Sequence, residues 1–550
     1  QKEDSSKDEA KEEKTDVAQK DQGPPDELTY WHALDVTKVS PLYTDYAQSP
    51  LYQWIMEATN TKIKFVHPPA GQEKETFSLM IASGDLTDII EYDFTNTSNY
   101  PGGADKAIDD GVIIALNEPM EKGWTPNLVA YFEKHPDWVK HWISDRGNYV
   151  AFPFIRQDPI LWSSWGPQIR LDWLEKLDMG YNENNLPTTI DEWDTILRAF
   201  KNQGFCEYPL LIVNLGGWGD NGSLPGAWGV GWEWYADENG ELQYGPAQEA
   251  FREFLAKMIE WNKAGLVDPD WVSGVDTENL RSKIMGNKVG IYFTNVGGGI
   301  GYYYDTLNAQ AGAQTAPDPP ANFRSFALPH PVLKKGEKSR FGGSALPVAG
   351  MSAFISGKCQ NVEAACRLLD FGYSEEGMTM FNYGKEGISF EYVNYKEIDA
   401  PIDLSYFGDK FPRWTDEVYH PTEGDYPLAV SLSRFIRAHS SGPFPQSEGY
   451  LVQFLPYRDQ LASVNTWVNS STFEGQLLPR MYFTTEESQL LAERENDLKT
   501  YKDETVMAFL QGTLELNDAN WEEFQSNLKR MGLEEILQIR RAAHERAKAR

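Results

Sequence analysis

The chain has 550 residues, with 50 Lys and Arg against 82 Asp and Glu, a formal net charge of −32. A binder of phosphate backbones needs clustered cations to displace counterions, so this balance argues against nucleic acid, and an anionic membrane surface would repel the chain. The length leaves room for two to four domains with substantial cores. The longest apolar runs, such as 112–116 and 210–213, fall far short of the roughly 20 residues that span a bilayer.

Aromatic usage stands out, with 18 Trp, 27 Tyr and 27 Phe making 13% of the chain. Trp carries a large apolar ring and one N–H, so surplus Trp settles either in a large core or half-exposed at a binding surface. Cys206, Cys359 and Cys366 cannot make a disulfide framework, and Cys359 and Cys366 can pair only if the fold brings them together. There is no CxxC or HExxH, and the eight His are scattered, so no metal or cofactor is expected.

Residues 1–27 hold 5 Lys and 10 acidic residues, with Thr15 and Val17 as the only β-branched side chains. Such a segment cannot offset its ordering entropy by apolar burial and is expected to be a flexible acidic tether. Beyond it, 28–33 reads as a strand, and Ser49-Pro50 opens a helix with proline in its first turn. A strand at 62–66, a helix at 72–83 stopped by Gly84 and a strand at 86–92 follow. That alternation predicts an α/β fold with a parallel sheet.

The pattern continues with a strand at 149–154 and helices at 168–177 and 190–202. Thr189 and Glu192 have the spacing of a capping box at the start of the second helix. Strands are expected at 210–213, 289–293, 326–328 and 351–356, with a long helix at 247–264 and a helix capped by Asn361. The last third reads as helices at 486–511, 521–531 and 533–549. Arg540, Arg541, Arg546 and Arg550 crowd the end of the last one, where cations suit the helix dipole.

The most unusual stretch is LGGWGDNGSLPGAWGVGWEWY, residues 215–235, with seven glycines among Trp218, Trp228, Trp232 and Trp234. Core strands tolerate few glycines, so this is a loop. Flat rings interleaved with Asp220, Asn221 and Glu233 suit a pyranose, whose C–H faces stack while its hydroxyl edges hydrogen-bond. The other reading is a loop plug packed onto a neighbouring domain. A second cluster, Arg156, Gln157, Asp158, Trp162 and Trp165, follows the strand at 149–154. In α/β sheets ligands bind beyond the carboxyl ends of strands, which also nominates Asp35, Tyr92, Asp93 and Asn295, with loop capping as the alternative for each.

Catalytic signatures are mostly missing: there is no GxSxG elbow or Walker A loop, and the 297–301 glycines lack the spacing of a dinucleotide-binding loop. A glycosidase is defined by two carboxylates about 5–9 Å apart in space, which a sequence does not show. A glycoside hydrolase or lyase therefore stays open.

FSLMIASGDLTDIIEYDF (77–94), ALNEPMEKG (115–123), IRLDWLEKL and LPTTIDEWDTILRAFK within 169–201, and LLDFGYSEEG with NYGKEGISFEY within 368–392 resemble extracellular solute-binding proteins of family 1. They are most similar to large LipO-like lipoproteins of Gram-positive bacteria, and the similarity runs through FEGQLLPR and MGLEEILQIRRAAHERAKAR to the end of the chain. The resemblance implies an α/β, two-lobe periplasmic-binding-protein-like fold of type II, with a hinge and a helical C-terminal extension. One lobe is expected at 28–155 plus 325–375 and the other at 156–324 plus 376–550.

It also implies capture of an oligosaccharide in the cleft and delivery to an ABC transporter permease, with no catalytic residue. The expected protein is a monomer at the extracellular face of the membrane, held by an N-terminal lipid anchor. The sequence starts at Gln1 without the family's lipidated cysteine, which fits removal of leader and anchor. Tyr92 takes the place of the family's aromatic after the GDxPDII-like strand, with Thr87 replacing its proline, and Ala151-Phe152-Pro153 resembles the first hinge crossing. Trp414 matches a position where relatives present a stacking ring. Some large relatives carry a calcium loop after the helix equivalent to 190–201, where this chain reads NQGFCEYPL, so no calcium is expected there. A peptide ligand and a purely adhesive role are the remaining alternatives.

Overall fold

The structure, a computed structural model, describes residues 25–213, 222–272, 276–311, 318–343, 346–400, 403–422, 424, 426–437, 441–447, 451 and 458–550. Most of the expected tether and Trp218 lie outside the described residues.

Strand β1 (Asp26–Trp31) leads to helix Pro50–Thr59, whose Ser49 hydroxyl accepts from the Tyr52 N–H, and then to β2 (Thr61–Val66). Helix Glu73–Ser83 stops at Gly84, which turns left-handed at φ 69°, a conformation that a side chain would oppose. The following strand β3 is two residues long (Ile89–Ile90), not the expected 86–92. Side chains take over at its ends. Asp88 accepts from the Thr29 N–H at 2.8 Å and hydroxyl at 2.7 Å, while Asp93 turns the chain by accepting from Thr95.

The remaining strands are β4 (Phe152–Arg156), β5 (Trp165–Arg170), β6 (Leu210–Leu211), β7 (Trp234–Ala236), β8 (Leu242–Tyr244), β9 (Ile291–Asn295), β10 (Ser325–Ala327), β11 (Val348–Ile355), β12 (Phe390–Val393), β13 (Phe411–Trp414) and β14 (Pro445–Gln446). Two sheets carry the architecture. One has the order β14-β4-β11-β3-β1-β2 and the other β10-β5-β9-β6, with β7–β8 and β12–β13 as separate hairpins. In the first sheet β1 runs parallel to β2 and β3, while β11 is antiparallel to β3 and β4. In the second, β5 lies antiparallel between β9 and β10.

Each sheet has its own core. The first gathers Leu28, Trp31, Ile89, Phe154, Phe354, Phe381 and Phe444, and the second gathers Ile169, Trp193, Phe254, Phe293, Phe509 and Phe524. This is the two-lobe α/β arrangement. The chain passes between the lobes from β4 to β5, from β10 to β11, and after β14.

Two expectations need correction. The helix expected at 168–177 begins only at Leu171, because Gln168 and Ile169 are paired on both sides, with Ala327 and Phe326 of β10 and with Tyr292 and Ile291 of β9. Ladder bonds on two edges outweigh a helix-like apolar spacing. The lobe limits also differ. Residues 325–327 pair with β5 in the second lobe, whereas Phe381, Phe444 and β14 belong to the first. The described residues between Phe390 and Ile436 form a satellite core around Phe390, Trp414 and Val418 that also touches Trp54 of the first lobe.

The C-terminal helices Thr485–Gln511, Asp518–Arg530 and Leu533–Ala549 pack on the second lobe. The three cysteines are free thiols, and burial pushes each up to about 12.

Candidate functional site

Strands β4 and β5 meet at the first lobe crossing, and the end of β9 lies beside it. Trp165 is the first residue of β5 and faces Asn295, the last of β9, as direct antiparallel partners. Opposed residues of an antiparallel pair project to the same side of the sheet, so an indole and an amide stand side by side here. The Asn295 Oδ1 is buried with no hydrogen-bond partner among the described residues. Beyond it the chain coils through Val296–Gly301, where bulk is excluded: a Cβ on Gly299 would sit 2.2 Å from the Thr294 hydroxyl. A Cβ on Gly297 would meet nothing within 4 Å, leaving open space next to Asn295.

On the first-lobe side, Arg156 ends β4 with its guanidinium 6.0 Å from the Phe154 ring, and its carbonyl accepts from the Trp162 indole at 3.1 Å. Gln157 follows, its Oε1 accepting from the Tyr131 hydroxyl at 3.4 Å. Tyr92 lies half-buried after β3, packed 4.5 Å from Phe77 and edge-on to Trp31 at 5.6 Å. Burial, and then the Glu73 charge, raise its hydroxyl pKa. Asp93 accepts from the Thr95 hydroxyl at 2.5 Å and has Arg480 at 3.4 Å. Asp35 accepts from the N–H groups of Thr37 and Lys38, so its carboxylate caps a turn.

The aromatic loop divides. Trp228 and Trp232 lean on Phe254 and Phe251 of helix Glu249–Lys263, and the Lys502 ammonium sits 5.0 Å over the Trp232 ring. Lys502 is itself fully buried and bonded to Glu233. These rings fill the joint between the second lobe and its helical extension, the plug reading rather than the stacking one. Trp414 is corrected too: at 2% exposure inside the satellite core it has no face to offer a ligand.

Residue patterns missed a charged knot beneath the first-lobe rim. The Glu91 carboxylate accepts from Tyr30 at 2.9 Å, Ser352 at 3.2 Å and Arg437 at 2.5 Å, and Arg437 also donates to Tyr52. Burial works against the Arg437 charge, but Glu91 and the hydroxyls of Tyr52, Tyr46 and Tyr30 outweigh it and hold its pKa above the usual value. A glutamate directly after two isoleucines was the available signal, since an acid at a buried strand end needs a partner.

No described helix is long and apolar enough to cross a membrane, and no group of three or more potential metal ligands occurs among the described residues. Ser223 and His330 form a 2.8 Å pair at 0% and 1% exposure, closed to any substrate. A concavity of about 740 Å³ bordered by Trp54, Glu57, Glu376 and Tyr392 lies elsewhere. Glu57 is in the last helical turn before β2, so this hollow faces the start of the parallel strands, the opposite end from Tyr92.

The family model described as bacterial extracellular solute-binding protein matches residues 40–379. The chain belongs to that family. This solute-binding protein shares its fold with solved structures of low identity. An alginate-binding protein, AlgQ2, is 22% identical with a TM-score of 0.67, covering 95% of this chain and 99% of that one. FusA of S. pneumoniae, solved with kestose, is 19% identical with a TM-score of 0.67, covering 95% and 99%. An HMO-binding protein of Bifidobacterium longum infantis is 16% identical with a TM-score of 0.66, covering 96% and 100%. Among curated proteins nothing matches.

Proposed function

We propose that this solute-binding protein captures an oligosaccharide between its lobes and delivers it to the permease of an ABC importer. The observation that carries the reading is Trp165 beside Asn295 at the crossing: a ring for a sugar face next to a buried amide oxygen without a partner among the described residues. Gln157, Arg156, Tyr92 and Asp93 extend the polar and aromatic rim from the first lobe. Relatives of the same fold were solved as binders of alginate, kestose and HMO, which supports a sugar over a peptide.

In this reading no bond is made or broken. Ligand contacts from both lobes favour the closed state, and the permease reads that state. The protein acts as a monomer outside the membrane, tethered by a lipid at the N-terminus of its mature form, in a Gram-positive cell.

The test is calorimetric and tryptophan-fluorescence titration with alginate oligosaccharides, fructo-oligosaccharides including kestose, and milk oligosaccharides, followed by chromatography of the same samples. Saturable binding with the sugar recovered intact is expected. Cleaved sugar would replace this reading with a glycoside hydrolase or lyase, and silence across all three classes would reject the sugar.

A further inference from the structure

Helix Leu533–Ala549 is anchored on the second lobe. Leu533 and Ile536 join that lobe's core, and Arg541 donates to the Leu242 carbonyl and to Gln243 at 2.9 Å each. Its final turn reaches the other lobe, while Lys548 still faces Glu241 of the β7–β8 hairpin at 3.8 Å. Arg546 donates to Asp145 at 2.8 Å, and Arg550 donates to the Ile143 carbonyl. Both acceptors lie in a first-lobe loop, next to Trp142 of the first core and to Ser144, which bonds Asp105.

The strap is doubled by the segment ahead of helix Thr485–Gln511. That segment belongs with the second lobe, since the Gly475 carbonyl accepts from the Ala236 N–H. From it Arg480 reaches back to Thr95 and Asp93, just past β3 of the first lobe. The two arms are joined, because Arg550 donates to the Arg480 carbonyl and Arg546 donates to the Tyr482 carbonyl and to Glu487 at 2.7 Å. A 17-residue helix is a stiff rod about 26 Å long, so its two ends cannot follow two lobes that rotate apart.

We infer that Arg480 and Arg546 are positioning residues that set the lobe separation: a tie between the lobes, additional to the three crossings, that must rearrange for them to rotate. The inference rests on the two-lobe binding reading but not on which ligand is bound. Its physics is electrostatic. The ties are charge-assisted and only partly buried, at 34% exposure for Arg546 and 21% for Arg480, so salt should loosen them.

The experiment measures the distance between spin labels on the ligand-free protein. Labels go on Leu79→Cys in the first lobe, where the side chain is 70% exposed, and Met179→Cys in the second, at 40%, with Cys206→Ser removing a half-buried thiol. A single narrow distance distribution is expected at low salt. Arg480→Gln combined with Arg546→Gln should shift it or add a second distance, changing the population ratio by roughly tenfold. Salt of about 1 M, where the screening length falls to about 3 Å, should do the same to the parent protein and little more to the variant. Asp145→Asn removes the first-lobe carboxylate that faces both Arg546 and Arg550 and gives the same answer should the double variant not fold. Identical distributions in parent and variants at both salt levels would overturn the inference. No sugar enters the measurement, so its failure is separate from a failure to find the ligand.

Discussion

Arg437 donates to the Glu91 carboxylate at 2.5 Å across 346 positions of sequence, with side chains 1% and 5% exposed. The bond fixes the returning 434–437 segment against the end of β3, directly under Tyr92 and Asp93. Removing one member of a buried pair strands the other charge. Arg437→Met should therefore cost about 3–5 kcal/mol in urea unfolding. Arg437→Met with Glu91→Leu should recover much of that loss, and a single-variant cost below about 1 kcal/mol would show that the pair is not what holds this rim.

Trp165 and Trp232 should separate binding from stability. Trp165→Ala is expected to weaken sugar binding by roughly tenfold or more, as loss of a stacking ring does, beyond whatever its packing on the second core costs in stability. Trp232→Ala removes a ring wedged among Phe251, Phe254 and Lys502. It should cost about 2–4 kcal/mol of stability and leave affinity unchanged. Calorimetry and urea unfolding on both variants decide it, and the reverse pattern would return the 228–232 loop to the binding site.

Gly166, next to Trp165, tolerates no side chain, because a Cβ there would lie 2.5 Å from the Trp467 indole. Trp467 is fully buried and donates to the Pro167 carbonyl at 3.0 Å. Gly166→Ala should destabilise by about 1–3 kcal/mol through overpacking and displace Trp165 with β5. The checks are the thermal midpoint and a loss of sugar affinity that follows it.

What the residues alone made legible was local. Thr189 and Glu192 marked the start of helix Ile190–Asn202, and both halves of that capping box form. Gly84 and Asn361 likewise ended and began the helices they flank. The errors came where distant partners decide. Gln168 and Ile169 joined a sheet through strands more than a hundred positions away, and the Trp228 and Trp232 rings found Phe251 and Phe254 on a neighbouring helix. Asp35, Asp93 and Tyr92 are nominated by their places after strands, and Asp35 uses its carboxylate to cap a turn. Asp93 is held by Thr95 and Arg480, partners that no local spacing announces. The return of Phe381, Phe444 and β14 to the first lobe was equally invisible, since nothing in their local composition says which sheet they join.

His330 should make the protein acid-sensitive. Burial pushes its imidazole from 6.5 down to about 3. The unfolded chain takes up this proton near 6.5 and the folded protein does not until about 3. The stability held by the neutral ring is thus complete above that window and falls as pH drops through it, by up to about 1.4 kcal/mol per pH unit. Ring resonances of His330 should stay unmoved in NMR from about pH 7 to pH 4. His330→Asn should flatten the pH dependence of the urea midpoint by one proton, and an unchanged slope would show that the ring titrates normally.

The interleaving of the lobes has a consequence for how the protein is made. The first sheet needs β14 at Pro445–Gln446 beside β4 at Phe152–Arg156, so nearly three hundred further residues must leave the ribosome after β4 before that edge can form. The second lobe waits longer, because its core includes Leu533 and Ile536. The first half cannot be completed until much of the second has been made, and the second waits for its last helices. A chain bound for the outside of the cell gains from this order, since neither lobe reaches its finished form early in synthesis.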